Sequence, residues 1–175
     1  MVEGFFQTQF PKVAEPRNIV FVPRGQGARS ACGASDSQAY EYCAGNQTIY
    51  IGQDLLWAFY RQGDAAPAIG LAHEWAHHLQ FMLDLPAFGS ESQSVNIENQ
   101  ADCIAGAWAR YAKDRGWLEE DDDLADAAGL LQAIGSREGP GRDHGTATER
   151  LKAFRVSYEG GIAACNSYFP RSPLA

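Results

Sequence analysis

The helix predicted over residues 65–84 constrains this chain more than any other stretch. Ile69, Ala72, Ala76, Leu79 and Leu83 recur at three- and four-residue spacing and lay an apolar stripe along one side. Beside that stripe runs His73-Glu74-Trp75-Ala76-His77. Residues four apart on an α-helix are offset by about 40° around the axis, so His73 and His77 project from one face. Two imidazoles so placed can hold one Zn²⁺, with Glu74 next to them as a base for a water molecule. A helix of this kind is covered on its apolar side and open on its histidine side, as in the wall of a cleft. Isolated histidines are more often plain surface or core residues, so the reading depends on what the rest of the chain supplies.

A catalytic zinc generally takes three protein ligands and keeps one position open. Glu98 is the candidate third ligand, 21 positions after His77 on a second long helix that runs to about Asp114. A short loop over 85–91 would fold that helix back antiparallel to the first. Asp102 follows four residues after Glu98 on the same face. It is placed to accept the spare ring N–H of a ligating histidine, His73 in particular, which fixes the tautomer. The alternative is an exposed polar face, but the flanking Ala101, Cys103, Ala105, Gly106 and Ala107 favour burial.

Residues 1–17 read as an irregular or partly helical lead-in. Asn18–Val22 is a β-branched and aromatic run stopped by Pro23, hence a strand. Residues 25–37 read as a small-residue loop, without the lysine and hydroxyl of a phosphate cradle. Residues 40–43 and 47–52 read as two further strands around the turn Ala44-Gly45-Asn46, the second being a candidate edge for pairing with an extended peptide. A short helix is expected over 53–60, another from the acidic run 119–126 to Gly135, and a last one over 146–158 with Leu151, Phe154 and Val156 inward. The acidic run suits a helix N-terminus; calcium binding is the alternative, without the loop spacing of an EF-hand. The expected fold is α+β, mainly helical, with residues 1–175 as one domain and a small N-terminal sheet.

The composition is 45% hydrophobic and 11% aromatic, with 14 basic against 22 acidic residues and a net charge of −8. No Lys/Arg cluster stands out, which argues against nucleic acid or an anionic membrane as partner. No apolar run reaches the roughly 20 residues of a membrane span, and no signal peptide opens the chain. The expectation is a trimmed segment whose export signal or anchor lies upstream. Cys32, Cys43, Cys103 and Cys165 form neither a CxxC nor a structural zinc pattern. Two disulfides, most simply Cys32–Cys43 and Cys103–Cys165, and four buried thiols are both compatible with their spacing.

His73-Glu74-x-x-His77 followed by Glu98-x-x-x-Asp102 resembles the glutamate-type zincins. Together with Glu98-Asn-Gln-Ala-Asp-Cys-Ile-Ala-Gly-Ala-Trp108 and His144-Gly145-Thr146-x-x-Glu149-Arg150, it resembles more closely the bacterial family of neutral zinc metallopeptidases. Ala31-Cys32-Gly33 and the stretch from Tyr42-Cys43 to Ile49-Tyr50 fit too, so the likeness spans about residues 18–169. The resemblance implies a zincin-like fold with an active-site helix and a facing third-ligand helix. It also implies a Zn²⁺ cofactor, paired cysteines and an extracytoplasmic setting: secreted, periplasmic or membrane-tethered. It gives His144 the role of oxyanion donor and Arg150 that of holding the site. Gly145 stands where the wider His-Pro pattern of CaaX-type proteases has proline. Without the resemblance, His144 is a loop histidine at a helix cap and Arg150 pairs with Glu149 or Asp143.

The expected activity is zinc-assisted hydrolysis of a peptide or protein substrate, with Glu74 as general base. Two other functions use the same residues: a non-catalytic zincin-like module that binds peptide or protein, and a zinc amidase acting on cell-wall peptides.

Overall fold

Thr48, Ile49 and Tyr50 are all buried, the pattern of a strand covered on both faces rather than one alternating between core and solvent. In chain order the elements are α1 (Val2–Gln9), β1 (Asn18–Val22), β2 (Gly27–Ser30), β3 (Gly33–Asp36), β4 (Tyr40–Cys43), β5 (Thr48–Gly52), α2 (Gln53–Tyr60), α3 (Ala66–Met82), α4 (Glu91–Lys113), α5 (Asp123–Ile134) and α6 (Ala147–Gly160), then a 3₁₀ turn over Ile162–Ser167. This computed structural model describes residues 1–85, 91–118, 122–135 and 144–174, and of residues 91–93 only the backbone. The acidic residues 119–121 lie outside the described residues, as do residues 136–143, most of the stretch 135–145 whose glycines read as a loop.

Strand β5 is central in a sheet of order β1-β5-β4, parallel to β1 and antiparallel to β4. Ile49 pairs with Ile19 on one side and with Tyr42 on the other. The edge strand beside the histidine helix is therefore β4, not the 47–52 strand expected there. That strand is occupied on both edges. The stretch read as a small-residue loop holds a second sheet, the antiparallel hairpin β2–β3. Its residues have low strand propensity, and backbone pairing rather than side-chain preference defines it.

The lead-in is partly helical, beginning with the regular helix α1. Val2, Phe5, Phe6 and Phe10 fall on one helical face and are buried, with Phe6 stacked on Trp75 at 5.0 Å. Helices α3 and α4 pack antiparallel: His73 meets Asp102 at one end while Gln80 meets Ile97 at the other. The stripe expected on α3 is core, with Ile69, Ala72, Ala76 and Leu79 buried and Leu83 packed at its border.

Helix α6 covers the other side of α4 at close range. A side chain at Gly106 would lie 2.1 Å from the Phe154 carbonyl oxygen, so only glycine permits this approach. Ser157 Oγ donates to the Cys103 carbonyl at the same contact. Helix α6 starts with a capping box, in which Thr146 Oγ1 accepts from Glu149 N and Glu149 Oε2 accepts from Thr146 N. Its inward face is Arg150, Ala153, Phe154 and Ser157, while Val156 is 42% exposed, contrary to expectation. Disulfides join Cys32 to Cys43 and Cys103 to Cys165, the second tying α4 to the 3₁₀ turn.

Candidate metal centre

Helix periodicity puts His73 and His77 side by side, and each is held from behind by a different group. His73 Nδ1–H donates to Asp102 Oδ1 at 2.8 Å. Arg150 grips the same carboxylate with two bonds, Nε to Oδ2 at 2.7 Å and a terminal nitrogen to Oδ1 at 2.8 Å. Asp102 and Arg150 are almost wholly buried, so this forked pair is formed away from water. Against the cost of burial, Arg150 and His73 hold Asp102 below the usual carboxylate range. Arg150 therefore pairs with Asp102, not with Glu149, which serves the cap of α6.

His77 Nδ1–H donates to Gln80 Oε1 at 2.8 Å. The Gln80 amide is oriented by its own N–H groups, which donate to the Ile97 carbonyl at 2.8 Å and to Gln100 Oε1 at 3.0 Å. Gln100 in turn donates to the Cys165 carbonyl. This amide chain behind His77 is a feature that the sequence reading missed. Its signal was available: Gln80 is a lone polar residue three positions after His77, hence on the same face.

With both Nδ1 atoms donating, both Nε2 atoms present bare lone pairs, and they face each other 3.0 Å apart. Glu98 closes the triangle, with Oε2 3.2 Å from His73 Nε2 and Oε1 3.3 Å from His77 Nε2. Glu98 Oε2 is buried and accepts no well-formed hydrogen bond. Three lone-pair donors converging at this range repel one another unless a cation lies between them. Ligand atoms bonded at about 2.0–2.1 Å to a tetrahedral zinc lie roughly 3.3 Å apart, so two histidines and a glutamate at this spacing fit zinc. His73, His77 and Glu98 form a group able to hold a metal ion.

The charges around the group favour a cation at this point. Burial opposes charge on His73, but Asp102 and Glu98 outweigh it and push the imidazole up to about 10. His77 is also raised, with Glu98 overcoming burial. Glu98 is buried too, yet the two imidazoles hold it far below the carboxylate range. Glu74 moves the other way: burial raises it, against the pull of His77 and His73. Its Oε2 accepts the Tyr42 backbone N–H at 2.7 Å, so the free edge of β4 fixes the carboxylate.

These residues line a cleft of about 430 Å³ between β4 and the two helices. His144 stands at its mouth, its side chain 41% exposed and its Nε2 3.5 Å from Glu98 Oε2. His78 points away from the cleft and is fully buried. Its Nε2–H donates to the Ala14 carbonyl at 2.7 Å and its Nδ1 accepts from the Tyr42 hydroxyl at 3.0 Å. The acidic residues of α5 belong elsewhere: Asp123 and Asp126 gather with Asp64, and Asp126 accepts the Ala65 N–H where α3 begins.

Residues 2–168 match the family described as "Putative neutral zinc metallopeptidase". The uncharacterized protein YpfJ of Escherichia coli K12 is 31% identical over 197 aligned residues, covering 95% of this chain and 67% of that protein. The uncharacterized protein Rv2575 of Mycobacterium tuberculosis H37Rv is 32% identical over 191 residues, covering 91% of this chain and 64% of its own length. The chain thus spans about two thirds of the length of the curated relatives it matches. No solved structure matches it significantly. With almost its whole length matched, the chain belongs to the putative neutral zinc metallopeptidase family.

Proposed function

We propose that this chain is a zinc-dependent peptidase in which His73, His77 and Glu98 hold the metal and Glu74 moves the proton. The observation that carries this reading is the triangle of bare donors at 3.0–3.3 Å with a buried carboxylate beside it. Two histidines and one glutamate make a donor set used by catalytic zinc sites in hydrolases. Bound zinc supplies Lewis acidity, acidifying a water molecule and polarising a carbonyl.

The chain's own residues do the rest. Glu74 takes a proton from the attacking water and passes it to the leaving amine. Burial, by raising its proton affinity, suits it to both transfers. Tyr42 N–H holds Oε2 in place and leaves Oε1 for the proton. His144, at the cleft mouth, donates to the oxyanion that develops on the substrate carbonyl, a role worth roughly 10²–10³ in rate. Asp102 and Gln80 fix the ligand tautomers, and Arg150 keeps Asp102 ionised.

We read the chain as one zincin-like domain of the glutamate type, in which an extended peptide lies along the free edge of β4. Two disulfides suit an oxidising, extracytoplasmic setting, and among the described residues no helix is long and apolar enough to cross a membrane. Metal analysis combined with cleavage of a peptide library, cell-wall peptides included, tests the reading. Wild type is expected to carry zinc and cut, while Glu74→Gln carries zinc and does not. If Glu74→Gln cuts as fast as wild type, the assignment fails.

A further inference from the structure

Gly145 is held between two side chains, and one of them has no partner of its own. A side chain at Gly145 would lie 2.2 Å from Asn99 Oδ1, 3.2 Å from Asn99 Cγ and 3.1 Å from Arg150 Cγ. Asn99 is buried, and among the described residues its Oδ1 accepts no hydrogen bond. We propose that Asn99 is a positioning residue for the reaction: its amide, seated against the Cα of Gly145, sets where the His144 imidazole stands over Glu98. The inference rests on the role given to His144 in the peptidase reading and adds the residue that fixes it.

The support runs through two pairs of chain neighbours. Glu98 and Asn99 adjoin on α4, and His144 and Gly145 adjoin just before the cap of α6. Asn99 meets Gly145, while His144 Nε2 lies 3.5 Å from Glu98 Oε2. A shift of Gly145 is therefore passed to His144 across one peptide bond. Beyond Gly145 the chain has little slack. Thr146 caps α6 by reciprocal bonds with Glu149, and Arg150, one turn on, is clamped to Asp102. The His144 side chain is partly exposed at the cleft mouth, so core packing does not hold it. Its setting depends on the backbone that carries it.

The chemistry of the two contacting residues follows. A buried acceptor without a donor lowers stability, so the fold alone gives no reason for an amide at residue 99. At Gly145 its oxygen arrives along the direction that a side chain would take, onto a Cα–H flanked by two peptide groups. A weak C–H···O contact is available there. Any Cβ closes that approach, including that of the proline found in the wider His-Pro pattern. Glycine has the widest backbone range of any residue, and the amide takes up that freedom. Asn99 and Gly145 thus act as one unit.

The test is a cycle of Asn99→Ala, His144→Ala and the double variant, zinc-loaded and assayed on a peptide that wild type cleaves. Asn99→Ala is expected to lower kcat roughly 10- to 100-fold with KM nearly unchanged, the cost of a catalytic group displaced by about 1 Å. In the His144→Ala background the same substitution should change kcat by less than about 2-fold, because it acts through His144. Binding of a phosphonate peptide, whose tetrahedral oxygens mimic the charged intermediate, should weaken in step with kcat/KM while zinc affinity stays unchanged. Adding Asn99→Ala to Gly145→Ala should likewise lower kcat no further. Asn99→Ser, which also lacks the carbonyl, repeats the cycle should Asn99→Ala fail to fold. Equal losses with and without His144, or a loss in zinc affinity and KM instead of kcat, overturn the proposal. Wild type that carries zinc and cuts nothing sinks the peptidase reading and this inference with it. Wild type that cuts, with Asn99→Ala cutting as fast, sinks this inference alone.

Discussion

His77 hands its Nδ1 proton to the Gln80 side-chain oxygen at 2.8 Å, where His73 hands its own to a carboxylate. The two imidazoles are therefore oriented by an amide and an anion, and the amide is held by contacts of its own.

Gln80→Ala is expected to weaken zinc binding by roughly 10- to 100-fold, the usual cost of losing a hydrogen-bond partner behind a ligand. Gln80→Glu keeps an acceptor and should recover part of that loss. Competition against a calibrated chelator reads both. Equal affinity in Gln80→Ala and wild type would remove Gln80 from the site.

Asp102→Ala strands the buried Arg150 guanidinium without its partner. Breaking a buried pair in this way costs about 3–5 kcal/mol. Urea unfolding of the metal-free proteins measures it apart from any effect on zinc. The double substitution Asp102→Leu with Arg150→Met should recover much of the stability, though not the support for His73.

Stability of the metal-free fold should depend on pH with opposite signs at the two ends. His73 is raised from 6.5 to about 10, so its proton contributes fully below pH 6.5, and that contribution is lost as pH rises through about 10. Asp102 is lowered, so its contribution is present above its ordinary value of 3.8 and lost on acidification below that. Zinc displaces the proton from the imidazoles, so the gain in Tm on adding zinc should widen as pH rises from 6 to 9. Thermal melts of chelator-treated and zinc-loaded protein test this, and a gap that does not change with pH contradicts it.

The two disulfides should separate stability from function. Closing 62 residues, Cys103–Cys165 is worth about 4 kcal/mol by chain entropy, whereas Cys32–Cys43, closing 11, is worth about 3. Cys43 directly follows Tyr42, whose N–H fixes Glu74. Replacing the short disulfide with alanines should therefore lower kcat in folded protein, while replacing the long one should mainly lower the urea midpoint. Both readouts are needed on both variants.

The centre was legible in the sequence where helix geometry alone places groups together. The spacings within His73–His77 and within Glu98–Asp102 predict two faces, and α3 and α4 bring those faces into contact. What escaped depended on backbone groups or on pairing. The Tyr42 N–H that holds Glu74 is common to every non-proline residue and has no sequence signature. The β2–β3 hairpin runs through Gly27-Ala28-Arg29-Ser30 and Gly33-Ala34-Ser35-Asp36, residues with little intrinsic preference for strands. On α6 close packing outweighs apolar character, so Val156 faces outward. Ser157, not Val156, fits against Gly106.

The pairing of α3 with α4 sets how His73, His77, Glu98 and Asp102 meet. Within each helix the 1.5 Å rise and 100° turn already set the interval between the two functional side chains. For these four side chains folding must add the alignment of one helix along the other. A slip of one residue in α4 would swing Glu98 and Asp102 together by about 100°, taking both away from the two histidines at one stroke. Gly106 and the Cys103–Cys165 link both lie on α4 and anchor it from the opposite side, so they act as a detent that holds this one alignment.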